Sequence, residues 1–439
     1  MFDTVRNAFK VKDIRNRILF TFFMLIIIRI GSQLPIPGVD RNVFADWFAN
    51  QSSDAFNFFD AVTGGSFLQM SVFALNITPY ITSSIIMQLL TIAIPKLEEM
   101  QKEGEDGRKK IASITRYVTI GLSLIESIAM AVGFGRSGLI KNSAQLSTLH
   151  YVVCIIVVVA ALTAGSAVLM WLGERITEKG VGNGISIVLL INIISGMPSD
   201  FATLYSTFVA PKTPAKGVLA AVIILAILIV MVVLVCFLQD GERRIPVQYS
   251  QKVSGRRTVG GQSTNIPLKV NTAGVMPIIF ASSLMQFPVI IAQLFGKSYE
   301  WTRYLSSSYW CRVEAPKYSI GLLVYIVLLI IFAYFYTSIT FNPIEVADNL
   351  KKAGGVIPGI TPGKSTSEYL NKILNYIVFI GAVGLLIIAL IPIMCTGFFN
   401  ASVSFGGTSI IIIVGVVLET LKQIESQMCN RYYKGFLSE

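Results

Sequence analysis

Along this chain polar and apolar residues do not alternate; they come in blocks. Ten apolar blocks stand out, at 18–37, 67–92, 114–135, 150–172, 183–198, 217–238, 270–294, 318–340, 373–396 and 406–421. A helix that crosses the hydrocarbon core of a bilayer needs about 20 predominantly apolar residues. Most of the blocks meet that length. The fifth and tenth are short, and the second and seventh are interrupted by Pro79 and Pro277. The pattern predicts an all-α integral membrane protein with ten transmembrane helices. The first block follows seventeen mostly polar residues and ends in Gly31-Ser32-Gln33-Leu34-Pro35 without a small-x-small cleavage site. It is expected to be a permanent span rather than a cleaved signal peptide.

The two interrupted blocks resemble each other. Pro79-Tyr-Ile-Thr-Ser-Ser-Ile-Ile-Met-Gln88 and Pro277-Ile-Ile-Phe-Ala-Ser-Ser-Leu-Met-Gln286 share Ile, Ser, Met and Gln at matching distances from the proline. The short blocks also correspond, Asn183-Gly-Ile-Ser-Ile187 against Gly406-Gly-Thr-Ser-Ile410. The repeat therefore sets blocks one to five (residues 1–200) against six to ten (201–439). Five is an odd number of crossings, so the halves must have opposite topology. Inverted repeats with broken helices at matching positions build transport paths at the repeat interface.

Composition agrees with the membrane reading: 53% of the residues are hydrophobic and 14% charged, against roughly 25% charged in soluble domains. The net charge of +11 would suggest nucleic acid in a soluble protein, but here its placement decides its meaning. Of the 36 Lys and Arg, 26 lie in the two tails and in the four loops on the same side as the tails. The excess of basic residues marks the cytoplasmic side, so both termini are expected in the cytoplasm. Two loops on that side, 239–269 and 342–372, are too long for simple connections. They mix charge with Gly, Pro and apolar residues, which predicts ordered protrusions facing an acidic macromolecular partner.

Catalytic and metal chemistry find little support. The five cysteines, at 154, 236, 311, 395 and 429, form no CxxC pair, and His150 is the only histidine. Neither a metal cluster nor a disulfide framework is expected. Residues 358–365, PGITPGKS, end like a phosphate-binding loop. Pro358 replaces its first glycine and has no N–H to offer a phosphate. No cofactor and no enzymatic activity are implied, so energy must come from a partner or a gradient.

The path must then be defined by what lines it. Arg29 and Glu126 are the clear charges inside the blocks. The residues nearest the breaks are aliphatic: Ile77, Ile81, Ile185, Leu189, Ile279 and Ile412. An apolar constriction binds no solute; it gates by dewetting, and it can deform around something larger. That favours a conduit for chain-like cargo.

Seven collinear stretches resemble the SecY family: RIGSQLPIPGVD (29–40), ALNITPYITSSIIMQLL (74–90), KEGEDGRKKI (102–111), MWLGERITEKGVGNGISI (170–187), GRRTVGGQSTNIPLKVNTAGVMPIIFASS (255–283), FYTSITFNPIEVADNLKKAGGVIPGITPG (335–363) and FGGTSIIII (405–413). The resemblance implies two inverted five-helix halves around a central hourglass pore. Such a pore would translocate unfolded polypeptides and release membrane segments laterally into lipid, in the bacterial cell membrane. The family's hydrophobic ring falls on the six aliphatic residues just named. Its plug, a short helix ahead of the second span, falls on about 59–70, with Phe59, Gly64, Gly65, Ser66 and Phe67. Its lateral gate, which admits signal sequences, falls on Thr82, Gln88, Glu126, Asn271, Ser282 and Phe287. Helices two and seven are expected to meet there, with Thr82 and Asn271 as polar partners for Glu126. The implied partners are SecE, SecG, the motor ATPase SecA, the ribosome and membrane lipids. Docking would use Arg243, Arg244, Arg256, Arg257, Lys351, Lys352 and Lys364 on the two protrusions.

One position departs from the family. Thr361 stands in Gly359-Ile-Thr-Pro-Gly363, where the family has an Arg tied to motor coupling. The alternative functional reading is an inverted-repeat secondary transporter, which would need a central, water-accessible polar site in place of an apolar ring. A non-conducting assembly scaffold would show a closed, packed interface without a funnel.

Overall fold

The computed structural model describes residues 6, 9–41, 43–44, 63–136, 148–210, 214–249, 252–254, 257–259, 263–294, 300–306, 309–311, 316–399 and 407–434. Each of the ten apolar blocks carries a helix. In chain order these are α1 (Lys12–Gly31), α2 (Thr78–Ala93), α4 (Glu105–Arg136), α5 (Thr148–Lys179), α6 (Gly184–Leu204), α7 (Pro214–Asp240), α8 (Met276–Leu294), α10 (Ile320–Thr340), α12 (Lys364–Phe399) and α13 (Gly407–Lys434). Between them lie the short helices α3 (Pro95–Lys102), α9 (Glu300–Leu305) and α11 (Pro343–Lys352). Among the described residues, six helices are individually long and apolar enough to cross a membrane. A seventh span is added if α2 and α3, bent by 105° at Pro95, count as one. Charged residues occupy one end of α1 and of α13, and the apolar part of α8 is short, so these three do not qualify on length and hydropathy alone.

Neighbour relations repeat along the chain. In the first five spans α1 packs on α5 and α6, α2 on α4, α4 on α5, and α5 on α6. In the next five α7 packs on α12 and α13, α8 on α10, α10 on α12, and α12 on α13. Every pair in the first set thus has a counterpart in the second. The sets meet through α6 with α13 and through α4 with α8. The anticipated meeting of helices two and seven is displaced: α4, rather than α2, makes the main contact with α8. The first turns of α2 and α8 instead enter a shared apolar cluster through Ile77, Ile81, Val275 and Ile279.

The second span differs from its hydropathy reading. The pattern places a helix from residue 67, but the helix begins at Thr78, and 64–77 runs as successive turns. Met70 (φ 45°) and Asn76 (φ 52°) adopt left-handed backbone, which a right-handed helix cannot contain. Tertiary bonds replace the missing helical ones: Ile36 N–H donates to Met70 O and Val72 N–H to Leu34 O, both at 2.9 Å.

The two long loops form one body. Strand β1 (Glu242–Tyr249) pairs antiparallel with β4 (Ser263–Lys269), and β2 (Lys252–Ser254) pairs with β3 (Arg257–Val259). From the second loop, β5 (Gly355–Val356) adds to the free edge of β1, Gln248 opposite Val356. Alternation along β1 turns Ile245 and Val247 inward, both fully buried, against Leu268, Leu350, Ile357, Leu370 and Ile377. Asn342 caps α11 by accepting from Ile344 N–H at 3.1 Å, which meets one of the open donors of its first turn.

Candidate functional site

Five of the six aliphatic residues singled out in the sequence come together. Ile77, Ile81, Ile185, Ile279 and Ile412 share one apolar cluster, drawn from α2, α6, α8, α13 and the turn before α2. The sixth, Leu189, is buried one turn along α6 from Ile185. Three devices carry these residues inward. Pro79 sits in the first turn of α2, where its missing N–H costs nothing. Asn183 accepts from Ile185 N–H at 3.1 Å and starts α6 at this level. Gly184 lets α6 approach α5 so closely that a Cβ there would collide with the Gly173 carbonyl. The result is a junction of helix ends from both halves, lined by branched hydrocarbon.

The stretch expected to form the plug precedes α2, and its Gly64 backs onto Asn192 and Ser195 of α6. Phe59 falls outside the described residues. Residues 64–70 form turns rather than the anticipated short helix. Gly64 (φ 66°) and Gly65 (φ 81°) are the reason, since both hold left-handed backbone. Ser66 and Phe67 are buried, with Phe67 edge-on to Phe44 at 5.4 Å between ring centroids. Phe44 and Phe67 form a second apolar cluster with Met70, Leu75, Met130 and Leu162.

Among the described residues, the polar side chains expected at the gate do not bond to one another. Thr82 Oγ1 donates to Thr78 O at 3.0 Å, Ser282 Oγ to Ile278 O at 2.8 Å, and Asn271 Nδ2 to Gly274 O at 2.9 Å. Each is satisfied within its own segment. Glu126 makes no hydrogen bond or ion pair among the described residues. Gln88 Nε2 reaches Ser84 Oγ at 3.4 Å, and its Oε1 is buried without a partner among the described residues. Phe287 lies in α8, with only its backbone described.

On the protruding body, Arg243 and Arg244 are exposed on β1, and Arg244 pairs with Glu242 at 2.7 Å. Lys351 and Lys352 end α11, favourable for cations at a helix C-terminus. Lys364 opens α12 with its side chain in water, 4.0 Å from Glu368. Arg256 lies outside the described residues, and Arg257 is placed in β3 by its backbone. Thr361 accepts from Thr366 Oγ1 through its carbonyl at 3.0 Å and donates to Ser365 Oγ at 2.9 Å, so it helps cap α12.

Sequence reasoning missed the polar contacts behind the plug stretch. Asn192 Nδ2 donates to Asn76 Oδ1 at 3.0 Å, with both residues buried, and Ser195 Oγ donates to Gly64 O at 3.2 Å. The one available signal was Asn192 itself, an amide in the middle of a largely apolar block.

The comparisons with known proteins agree with this arrangement. The family model described as SecY matches residues 71–421. The protein translocase subunit SecY of Halalkalibacterium halodurans is 44% identical over 446 residues, with 100% of each chain covered. The protein of the same name from Bacillus subtilis is 41% identical over 444 residues, again with 100% of each covered. Among solved structures, one described as a protein conducting channel superposes with a TM-score of 0.61 at 17% identity, covering 94% of this chain and 92% of that one. Sec61 in the canine ribosome-channel complex gives 0.60 at 15% identity with the same coverage. A match over most of the chain, with full-length relatives above 40% identity, shows that this chain is a multi-pass membrane protein belonging to the SecY family.

Proposed function

We propose that the chain is the pore subunit of a protein-conducting channel, in which unfolded polypeptide passes through the apolar junction of Ile77, Ile81, Ile185, Leu189, Ile279 and Ile412. The observation that carries the reading is the chemistry of that junction. Helix ends from both halves converge on it, and they present hydrocarbon where a solute carrier would present polar ligands or charges. Such a waist excludes ions by dewetting and parts around a chain. The stretch through Gly64–Met70 acts as its plug on one side. The seam of α4 and α8, with α2 and α10 alongside, is the lateral exit for signal sequences and membrane segments into lipid. It bears small hydroxyl residues in place of a dry aliphatic zipper, which suits an interface that reopens.

The protruding body is the docking platform, with SecA and the ribosome as its partners through Arg243, Arg244, Arg256, Arg257, Lys351, Lys352 and Lys364. SecE and SecG complete the assembly in the bacterial plasma membrane, with both termini cytoplasmic. Halves 1–200 and 201–439 move against each other. Reconstitution tests the reading. In vesicles with SecE, and with SecA and ATP outside, an unfolded secretory precursor becomes protected from protease. Absence of protection with correctly inserted, SecE-bound chain overturns the proposal.

A further inference from the structure

We infer that Asn76, Asn192, Ser195 and Arg29 form a polar clasp that fastens the 64–77 segment to α1 and α6 and sets how readily the channel opens. The inference rests on the pore reading above and adds to it the residues that hold the plug stretch shut. Apolar contact alone is a poor latch, because it is non-directional and lets a segment slide. The clasp adds direction at both ends of the segment.

At its start, the Gly64 carbonyl accepts from Ser195 Oγ at 3.2 Å and from Arg29 Nη1 at 3.4 Å. Ser195 also donates to Asn192 O at 2.7 Å, so its hydroxyl is shared. Gly64 is required twice over. Its φ of 66° favours glycine, and a Cβ there would stand 2.5 Å from the Asn192 carbonyl oxygen. At the segment's end, Asn76 takes left-handed backbone at φ 52°, a conformation that Asn accepts more readily than other side chains do. From there its Oδ1 receives Asn192 Nδ2 at 3.0 Å, with the two residues 1% and 3% exposed. Asn76 immediately precedes Ile77, and Asn192 lies one turn from Leu189. The amide bridge therefore ties the start of the waist to α6.

The clasp is incomplete in a way that suits opening. Among the described residues Asn192 Oδ1 is buried without a hydrogen-bond partner, and the Arg29 bond is long. A buried polar group left unpaired raises the energy of the state that holds it. The closed form is thus held by a few directional bonds and gives up little when they part.

The test is resting ion leak in vesicles containing the full chain with its SecE partner. Asn76→Gly keeps the left-handed backbone and removes the amide. Ser195→Ala removes the hydroxyl. Each is expected to raise leak about fivefold, the effect of one buried hydrogen bond, and to increase export of precursors with defective signal sequences. A double-mutant cycle of Asn76→Gly with Asn192→Leu separates bond loss from general loosening. Coupling is expected, with the double variant leaking less than the product of the singles. Ile412→Asn serves as the reference for the waist. If it leaks and every clasp variant stays at the parent level, the clasp is refuted and the pore reading stands. If Ile412→Asn does not leak either, the pore reading fails. Additive effects in the cycle also refute the clasp.

Discussion

Replacing Ile412 by asparagine probes the waist most cleanly. Ile412 is 7% exposed and packs among Ile77, Ile81, Ile185 and Ile279. Full burial of an isoleucine contributes about 1.5–3 kcal/mol. If opening exposes half of the side chain, the closed state loses about 1 kcal/mol of apolar stabilisation. The amide in its place meets hydrocarbon on every side, and an unpaired buried amide costs about 1–3 kcal/mol. Together the closed state rises by about 2 kcal/mol or more, which shifts the closed-to-open equilibrium roughly thirtyfold. The assay is potassium efflux from vesicles carrying equal amounts of inserted protein. Ile412→Leu, nearly equal in volume, is the control and should change efflux less than threefold. Efflux from Ile412→Asn equal to that of the parent would refute the reasoning, since nothing else at this position supplies a seal.

Other outcomes follow from the same structure. Deleting residues 60–68 should raise resting leak while the chain still inserts, measured by efflux and by SecE co-purification. Charge reversal at Arg243 and Arg244 should weaken SecA and ribosome binding at least tenfold at physiological salt, with a shallower salt dependence, because exposed charges attract through screened fields; binding assays across salt concentrations check this. Val247→Asp buries a carboxylate in the core beneath β1 and should unfold the protruding body, read as new protease sites in 242–269 while the membrane helices stay protected. Asn342→Ala removes the cap of α11 and should cost about 1 kcal/mol, seen as faster amide exchange in 343–352.

The block pattern located the helices because lipid punishes polar residues harder than any fold-specific preference does. Where a helix leaves the membrane that rule lapses. Thus α12 begins at Lys364, well ahead of the apolar block at 373, and its polar first turns pack on α11. Likewise α13 runs on to Lys434, past the block's end at 421, with Lys422 bonded to Asp240 at 2.6 Å. The turns of 64–77 were illegible for another reason. Hydropathy cannot see that Met70 turns left-handed where its carbonyl meets the distant Ile36 N–H, or that Asn76 does so where its side chain meets the distant Asn192. The union of the two loops rests on pairing Gln248 and Tyr249 with Val356 and Gly355, too short a register to show in composition. The meeting of Ile77, Ile81, Ile185, Ile279 and Ile412 was legible because the proline and glycine breaks beside them mark helix ends. The Asn76–Asn192 bridge was not, because two amides separated by 116 positions carry no local signal of pairing.

The central claim is that polypeptide passes through the waist, and site-specific photocrosslinking to a stalled chain tests it most directly. A photoreactive residue at Ile81 or Ile279 should form an adduct with a precursor arrested midway by a folded C-terminal domain. The same residue at Val222, on the exposed face of α7, should not. Adducts at both waist positions that disappear when the precursor is released are the predicted result. A stalled chain that crosslinks at Val222 and at neither waist position would contradict the account.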